Sequence, residues 1–140
     1  FVNAPVPLEE TGSPSAFKDI SGGDLPGISK WAGNFGGEYI TPARLFGKTG
    51  NFFVAVDSYY RSDFSSSASP SQFLNVPGYA LLNARVGVKV TDGASIFVWG
   101  RNLLDKDYFE QLLPAAGNAG HYAAVLGDQR TIGITLRYSF

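Results

Sequence analysis

The sequence has no cysteine, no methionine and a single histidine, His121, in 140 residues. That excludes a disulfide-stapled scaffold and a structural zinc site built from clustered Cys and His. A chain free of cysteine also suits passage through an oxidising compartment. Charge of neither sign is in excess: 11 Lys and Arg stand against 12 Asp and Glu, for a formal net charge of −1. No basic footprint for nucleic acid is present. No apolar run reaches the roughly 18 residues that a transmembrane helix requires, so only strands are available for crossing a bilayer. Sets such as Ser/His/Asp, a phosphate loop or paired carboxylates are missing as well, and neither catalysis nor a cofactor is expected. The chain begins at Phe1 rather than Met and is expected to be a processed protein or a piece of a longer one.

What the chain does have is glycine (17 residues), aromatic rings (14%) and repeated stretches of period-two alternation. The cleanest is Thr131-Ile-Gly-Ile-Thr-Leu-Arg-Tyr-Ser-Phe140, with Ile132, Ile134, Leu136, Tyr138 and Phe140 on one face. Thr131, Gly133, Thr135, Arg137 and Ser139 occupy the other, which predicts a strand with one apolar and one polar surface. Its length suits the roughly 9–11 residues of a tilted membrane strand.

Similar strands are predicted over 31–40, 52–61, 80–90 and 95–103. In the first, Trp31, Phe35 and Tyr39 oppose Asn34 and Glu38; in the second, Phe52, Val54, Val56 and Tyr60 oppose Ala55, Asp57, Tyr59 and Arg61. Trp31 and Tyr39 are eight residues apart, as are Phe52 and Tyr60. That spacing is roughly 26 Å along a strand and roughly 19 Å along the membrane normal. It brackets an apolar band with rings, so Trp31, Tyr39, Phe52, Tyr60, Tyr138 and Phe140 are candidates for interfacial girdles. The third strand places Leu82, Ala84, Val86 and Val88 opposite Asn83, Arg85, Gly87 and Lys89. Parity puts Glu38, Asp57, Arg85, Lys89, Arg101 and Arg137 on the polar, lumen-facing side, where mutually compensating charges in a hydrated interior are the plainer account. The stretch 95–103 leaves its facing open, because alternation carries Asn102 to the apolar side.

Turn chemistry separates these strands. Pro42, Gly47 and Gly50 are expected to reverse the chain, and Asp92-Gly93 to form a tight type I′ hairpin. Three long loops are predicted over 1–30, 62–77 and 105–129. Short turns thus alternate with long loops, as in outer-membrane barrels. About five strands cannot close a barrel, since the smallest common ones have about eight.

Four segments carry a family resemblance: Leu25-Pro-Gly-Ile-Ser-Lys-Trp31, Pro77-Gly-Tyr-Ala-Leu-Leu-Asn-Ala-Arg85, Arg101-Asn-Leu-Leu-Asp-Lys-Asp-Tyr108 and the block from Gly127 to Phe140. In this order and spacing they resemble the C-terminal part of the barrel of TonB-dependent outer-membrane receptors. Leu104 replaces the family's usual Phe, and Gln129 its usual Pro. The resemblance implies an all-β, antiparallel transmembrane β-barrel of 22 strands around an N-terminal plug. Residues 1–140 would form its C-terminal segment, supplying about the last five strands and no plug.

The implied function is active uptake of a scarce ligand, an iron–siderophore complex by default, energised by the TonB complex from a Gram-negative outer membrane. The chain's end resembles the signal read by the barrel-assembly machinery, here Tyr138 and Phe140. Tyr108, Phe109, His121 and Tyr122 in the last loop are candidates for gripping ligand by stacking and hydrogen bonding. His121 has no carboxylate or thiol partner at ligand spacing and reads more plainly as a loop histidine with polar contacts; Tyr108 reads equally well as an interfacial anchor. Two other readings stay open: a porin or barrel enzyme of another kind, and a soluble carbohydrate-binding β-sandwich.

Overall fold

Nine strands form among the described residues: β1 (Ala32–Leu45), β2 (Lys48–Arg61), β3 (Phe64–Ser65), β4 (Asn75–Val76), β5 (Tyr79–Val90), β6 (Ser95–Arg101), β7 (Phe109–Pro114), β8 (Tyr122–Leu126) and β9 (Thr131–Arg137). They are seen in a computed structural model that describes residues 25–45, 47–67, 71–91, 93–115 and 121–139. A 3-10 turn, Gln72–Leu74, is the one helical element among the described residues. No described helix is long and apolar enough to cross a membrane. Five strands make one sheet in the order β1-β2-β5-β6-β9. β6 runs antiparallel to both of its neighbours. The sheet does not close on itself: β1 and β9 stand at its two ends. Two further sheets, β3–β4 and β7–β8, are two-stranded and antiparallel.

Contacts divide the chain into two units. One holds Gly33–Tyr60, Ala80–Lys106 and the segment from Asp128, and so most of the five-stranded sheet. The other holds Arg61–Tyr79, Asp107–Gly127 and the segment up to Ala32. In this second unit Phe64, Leu74, Val76 and Tyr79 are buried, and Leu74 and Val76 almost completely. Ser66 ties its two small sheets together: its N–H donates to Leu74 O (2.8 Å), its hydroxyl donates to Leu112 O, and Leu112 N–H donates back to the hydroxyl (3.2 Å).

The structure corrects several expectations. The segment 41–45, expected to turn, continues β1 through Pro42. Proline removes one ladder donor, which is tolerable on a strand at the end of the sheet order. The reversal falls at Gly47, whose φ of 81° suits a residue without a Cβ. The stretches 62–77 and 105–129 are not structureless; they carry β3, β4, β7 and β8. Their pairings, such as Phe64↔Val76, join residues too far apart for local alternation to announce them.

The β5–β6 link is not the two-residue hairpin expected. Val90 N–H donates to Ala94 O (2.7 Å), so three residues lie between the paired ends, and Gly93 has a φ of 83°. Asp92, half of the expected turn pair, lies outside the described residues. β6 ends at Arg101 rather than at residue 103, and β9 at Arg137 rather than at the chain end. Phe140, read as a girdle ring and assembly signal, also lies outside the described residues.

Candidate functional site

Register decides which side chains share a face. Val86 pairs with Val98 and Val98 with Ile134; Val88 pairs with Ile96 and Ile96 with Leu136; Ala84 pairs with Gly100 and Gly100 with Ile132. These nine positions form an uninterrupted apolar face across β5, β6 and β9. The alternate rows are Arg85–Trp99–Gly133, Gly87–Phe97–Thr135 and Lys89–Ser95–Arg137. Facing of the 95–101 stretch, which alternation left open, is thereby fixed. Ile96 and Val98 belong to the apolar face, and Phe97, Trp99 and Arg101 to the polar one.

The polar face brings together residues from five strands. Arg85 meets Glu38 at 3.3 Å, with both side chains about half exposed, so the pair contributes about 0–1 kcal/mol. Asn83 Nδ2 donates to Asp57 Oδ2 at 2.7 Å. Lys89 and Arg137 flank Ser95, and Arg101 sits opposite Thr131. Arg101 also lies 5.6 Å from the Trp99 ring centroid, within cation–π range. Trp99 Nε1 donates to Thr135 Oγ1 at 3.1 Å, and the Phe97 ring lies 6.1 Å from Phe53. The face therefore offers aromatic surface beside cations, with Glu38 and Asp57 each engaged by a partner.

Sequence reasoning missed Asn102. It is 3% exposed, has a φ of 48°, and uses nearly every polar group it owns. Its Nδ2 donates to Lys106 O (2.9 Å) and Asp128 O (3.0 Å), and its Oδ1 accepts from Lys106 N (2.9 Å). Its own N–H donates to Asn83 Oδ1 (3.1 Å), and its carbonyl accepts from Asp105 N (2.9 Å). The apolar-side placement that alternation gave it does not occur, because the strand has already ended in a left-handed turn. Asn tolerates that conformation better than most residues, which was the signal available in the sequence.

In the other unit, the four loop candidates separate into two pairs. Tyr108 packs 4.4 Å from the Tyr79 ring and covers Gly127, where any Cβ would fall inside the Tyr108 ring. Phe109 pairs with Leu126 at that end of the β7–β8 ribbon. Tyr122 pairs with Pro114 at the other end. There its ring lies 5.6 Å from Phe73 and its hydroxyl 3.2 Å from Ser71 Oγ. His121 adjoins it, exposed, with its carbonyl accepting from Ala115 N. The half-exposed Phe73 was not singled out from sequence, since it stands in a Ser/Pro-rich stretch without periodicity.

Among the girdle candidates, Trp31, Tyr39, Tyr60 and Tyr138 are exposed and Phe52 is half-buried. Trp31 precedes β1 and is held by two bonds to Ser62. No group of three or more His, Asp and Glu among the described residues is placed to hold a metal ion.

Compared with known families, residues 8–103 match the model described as TonB dependent receptor-like, beta-barrel. No curated protein and no solved structure matches the chain.

Proposed function

The chain belongs to the TonB-dependent receptor β-barrel family, an outer-membrane transporter family of Gram-negative bacteria, and from that premise we propose that it forms the C-terminal wall of a 22-stranded barrel that imports an iron–siderophore complex. The observation that carries the reading is the two-sided sheet. One face is aliphatic across β5, β6 and β9, as lipid requires. The other carries Arg85, Lys89, Arg101 and Arg137 beside Phe97 and Trp99, a lining suited to an anionic chelate with planar rings. On this reading Glu38 and Asp57 keep the cations spaced, and the faces of Trp31, Tyr39, Phe52, Tyr60 and Tyr138 anchor the wall at the interfaces. His121, Tyr122 and Phe73 would give a first contact for ligand, while Tyr108 holds the loop. Energy would come from the TonB complex through a plug. The barrel-assembly machinery would dock by strand pairing along β9, with Tyr138 and Phe140 as its signal.

The test is uptake. A strain lacking the receptor should lose growth on one or more ferric siderophores in iron-poor medium, and the purified receptor should bind the same complex with quenching of tryptophan emission. Undiminished growth on every ferric siderophore, together with TonB-independent passage of other solutes, would favour a porin instead.

A further inference from the structure

Alternation along β9 has a period of two, so it distinguishes odd slips against β6 from even ones and nothing more. A one-residue slip would turn Arg137 and the threonines towards lipid. A two-residue slip would leave Ile132, Ile134 and Leu136 on the apolar face, exchanging one aliphatic neighbour for another there, and would be opposed on the polar face only by the fit of Trp99 over Gly133. Something aperiodic has to select the observed register, which runs from Arg101↔Thr131 to Ser95↔Arg137.

We propose that Asn102 is the register pin of β9. It immediately follows Arg101, the last paired residue of β6, and its side chain holds the carbonyl of Asp128, 26 positions along the chain and just ahead of Thr131. The remaining bonds of Asn102 stop it from moving with that carbonyl: its backbone is held by Asn83 on β5, and its amide group closes on both polar atoms of the Lys106 backbone. A two-residue slip displaces the Asp128 carbonyl by roughly 6–7 Å, well beyond hydrogen-bond reach. Nδ2 would then be a buried donor with one partner lost. The nearby Arg130–Asp105 pair at 3.0 Å is half-exposed and adds little selection. Asn102 thus acts as a positioning residue: it fixes where the chain enters the final strand, and so which of the pairings that alternation allows forms.

The experiment measures register directly in the full-length receptor in outer membranes, a clean assay because this stretch contributes no cysteine. Val98→Cys with Ile134→Cys reports the observed register. Val98→Cys with Leu136→Cys, or with Ile132→Cys, reports a two-residue slip either way. Linked peptides are quantified by mass spectrometry after copper–phenanthroline oxidation. Asn102→Gly keeps the left-handed backbone and removes the pin; Asn102→Asp keeps the acceptor for Lys106 N–H and loses both donations, to Lys106 O and to Asp128 O. In both, the ratio of in-register to slipped crosslink should fall roughly tenfold, the scale of one buried hydrogen bond lost. An unchanged ratio overturns the proposal, even if the yield of every pair drops, because a residue that only stabilises lowers all pairs alike. Where Asn102→Gly blocks assembly, oxidative refolding into lipid with the Val98→Cys/Ile134→Cys pair should restore the barrel. Failure of that disulfide to restore it also overturns the proposal.

Discussion

Glycine inside a strand gives up backbone entropy and offers nothing to pack, so Gly87 and Gly133 are informative. A Cβ at Gly87 would meet the Ile96 carbonyl and the Phe97 Cβ of the neighbouring strand, and one at Gly133 would stand 2.5 Å from Trp99 Cζ2, under the indole ring. Period-two alternation registers these glycines only as non-apolar residues, and what crowds each comes from another strand. Gly133→Val should therefore force Trp99 aside, break the Trp99–Thr135 bond and cost about 1–3 kcal/mol by overpacking. A background in which every other tryptophan of the receptor, Trp31 included, is replaced by phenylalanine isolates Trp99. In that background the refolded receptor should show a red-shifted Trp99 emission and a lower urea midpoint. Unaltered emission and midpoint would mean that the ring does not rest on Gly133.

At the scale of the element, facing follows from register, and the centre of the β9 apolar row is Ile134. Ile134→Arg should cost about 2–4 kcal/mol in lipid, the penalty of a cation near the midplane. Thr135→Arg, one residue on, stays on the polar side and should cost only the bond from Trp99, about 1 kcal/mol. Urea titration of the receptor in vesicles separates the two; equal losses would mean that the faces of β9 are assigned the wrong way round.

The same element shows why some of this fold can be read from sequence and some cannot. Thr131 to Arg137 is legible because alternation is local: each residue's neighbour along the chain states the face. Asn102 is illegible by that rule, since its partners Asn83 and Asp128 are remote and its turn breaks the period that would assign it. β3–β4 and β7–β8 escape for a similar reason, as they are short and stabilised by non-local contacts such as Ser66 to Leu112. Of the loop candidates, Tyr122 and His121 were identifiable as exposed-type aromatics. Nothing local indicated that Gly127 reserves space for the Tyr108 ring or that Phe73 stands beside Tyr122.

For the molecule as a whole, the balance lies between what is buried and what is left uncovered. Among the described residues the buried apolar side chains are Ala55, Phe64, Leu74, Val76 and Tyr79, four of them in the unit of small sheets. The unit that holds most of the five-stranded sheet keeps only Ala55 from that group, while Ile132, Ile134 and Leu136 are 65–77% exposed. Its end strands β1 and β9 also carry main-chain donors and acceptors for which the sheet provides no further strand. In a bilayer the aliphatic face is solvated by acyl chains, and in the complete barrel the end strands gain neighbours. In water neither occurs, and the exposed row and open edges favour association between copies. Expressed alone, residues 1–140 should elute as oligomers or aggregate without detergent, show strand-like circular dichroism, and lack a cooperative thermal transition. Detergent micelles should disperse the associated state without restoring cooperativity, since micelles cover the face but cannot pair the edges. A detergent-free monomer melting in a single sharp transition would mean that the aliphatic face packs against protein, and would favour the soluble sandwich over the barrel.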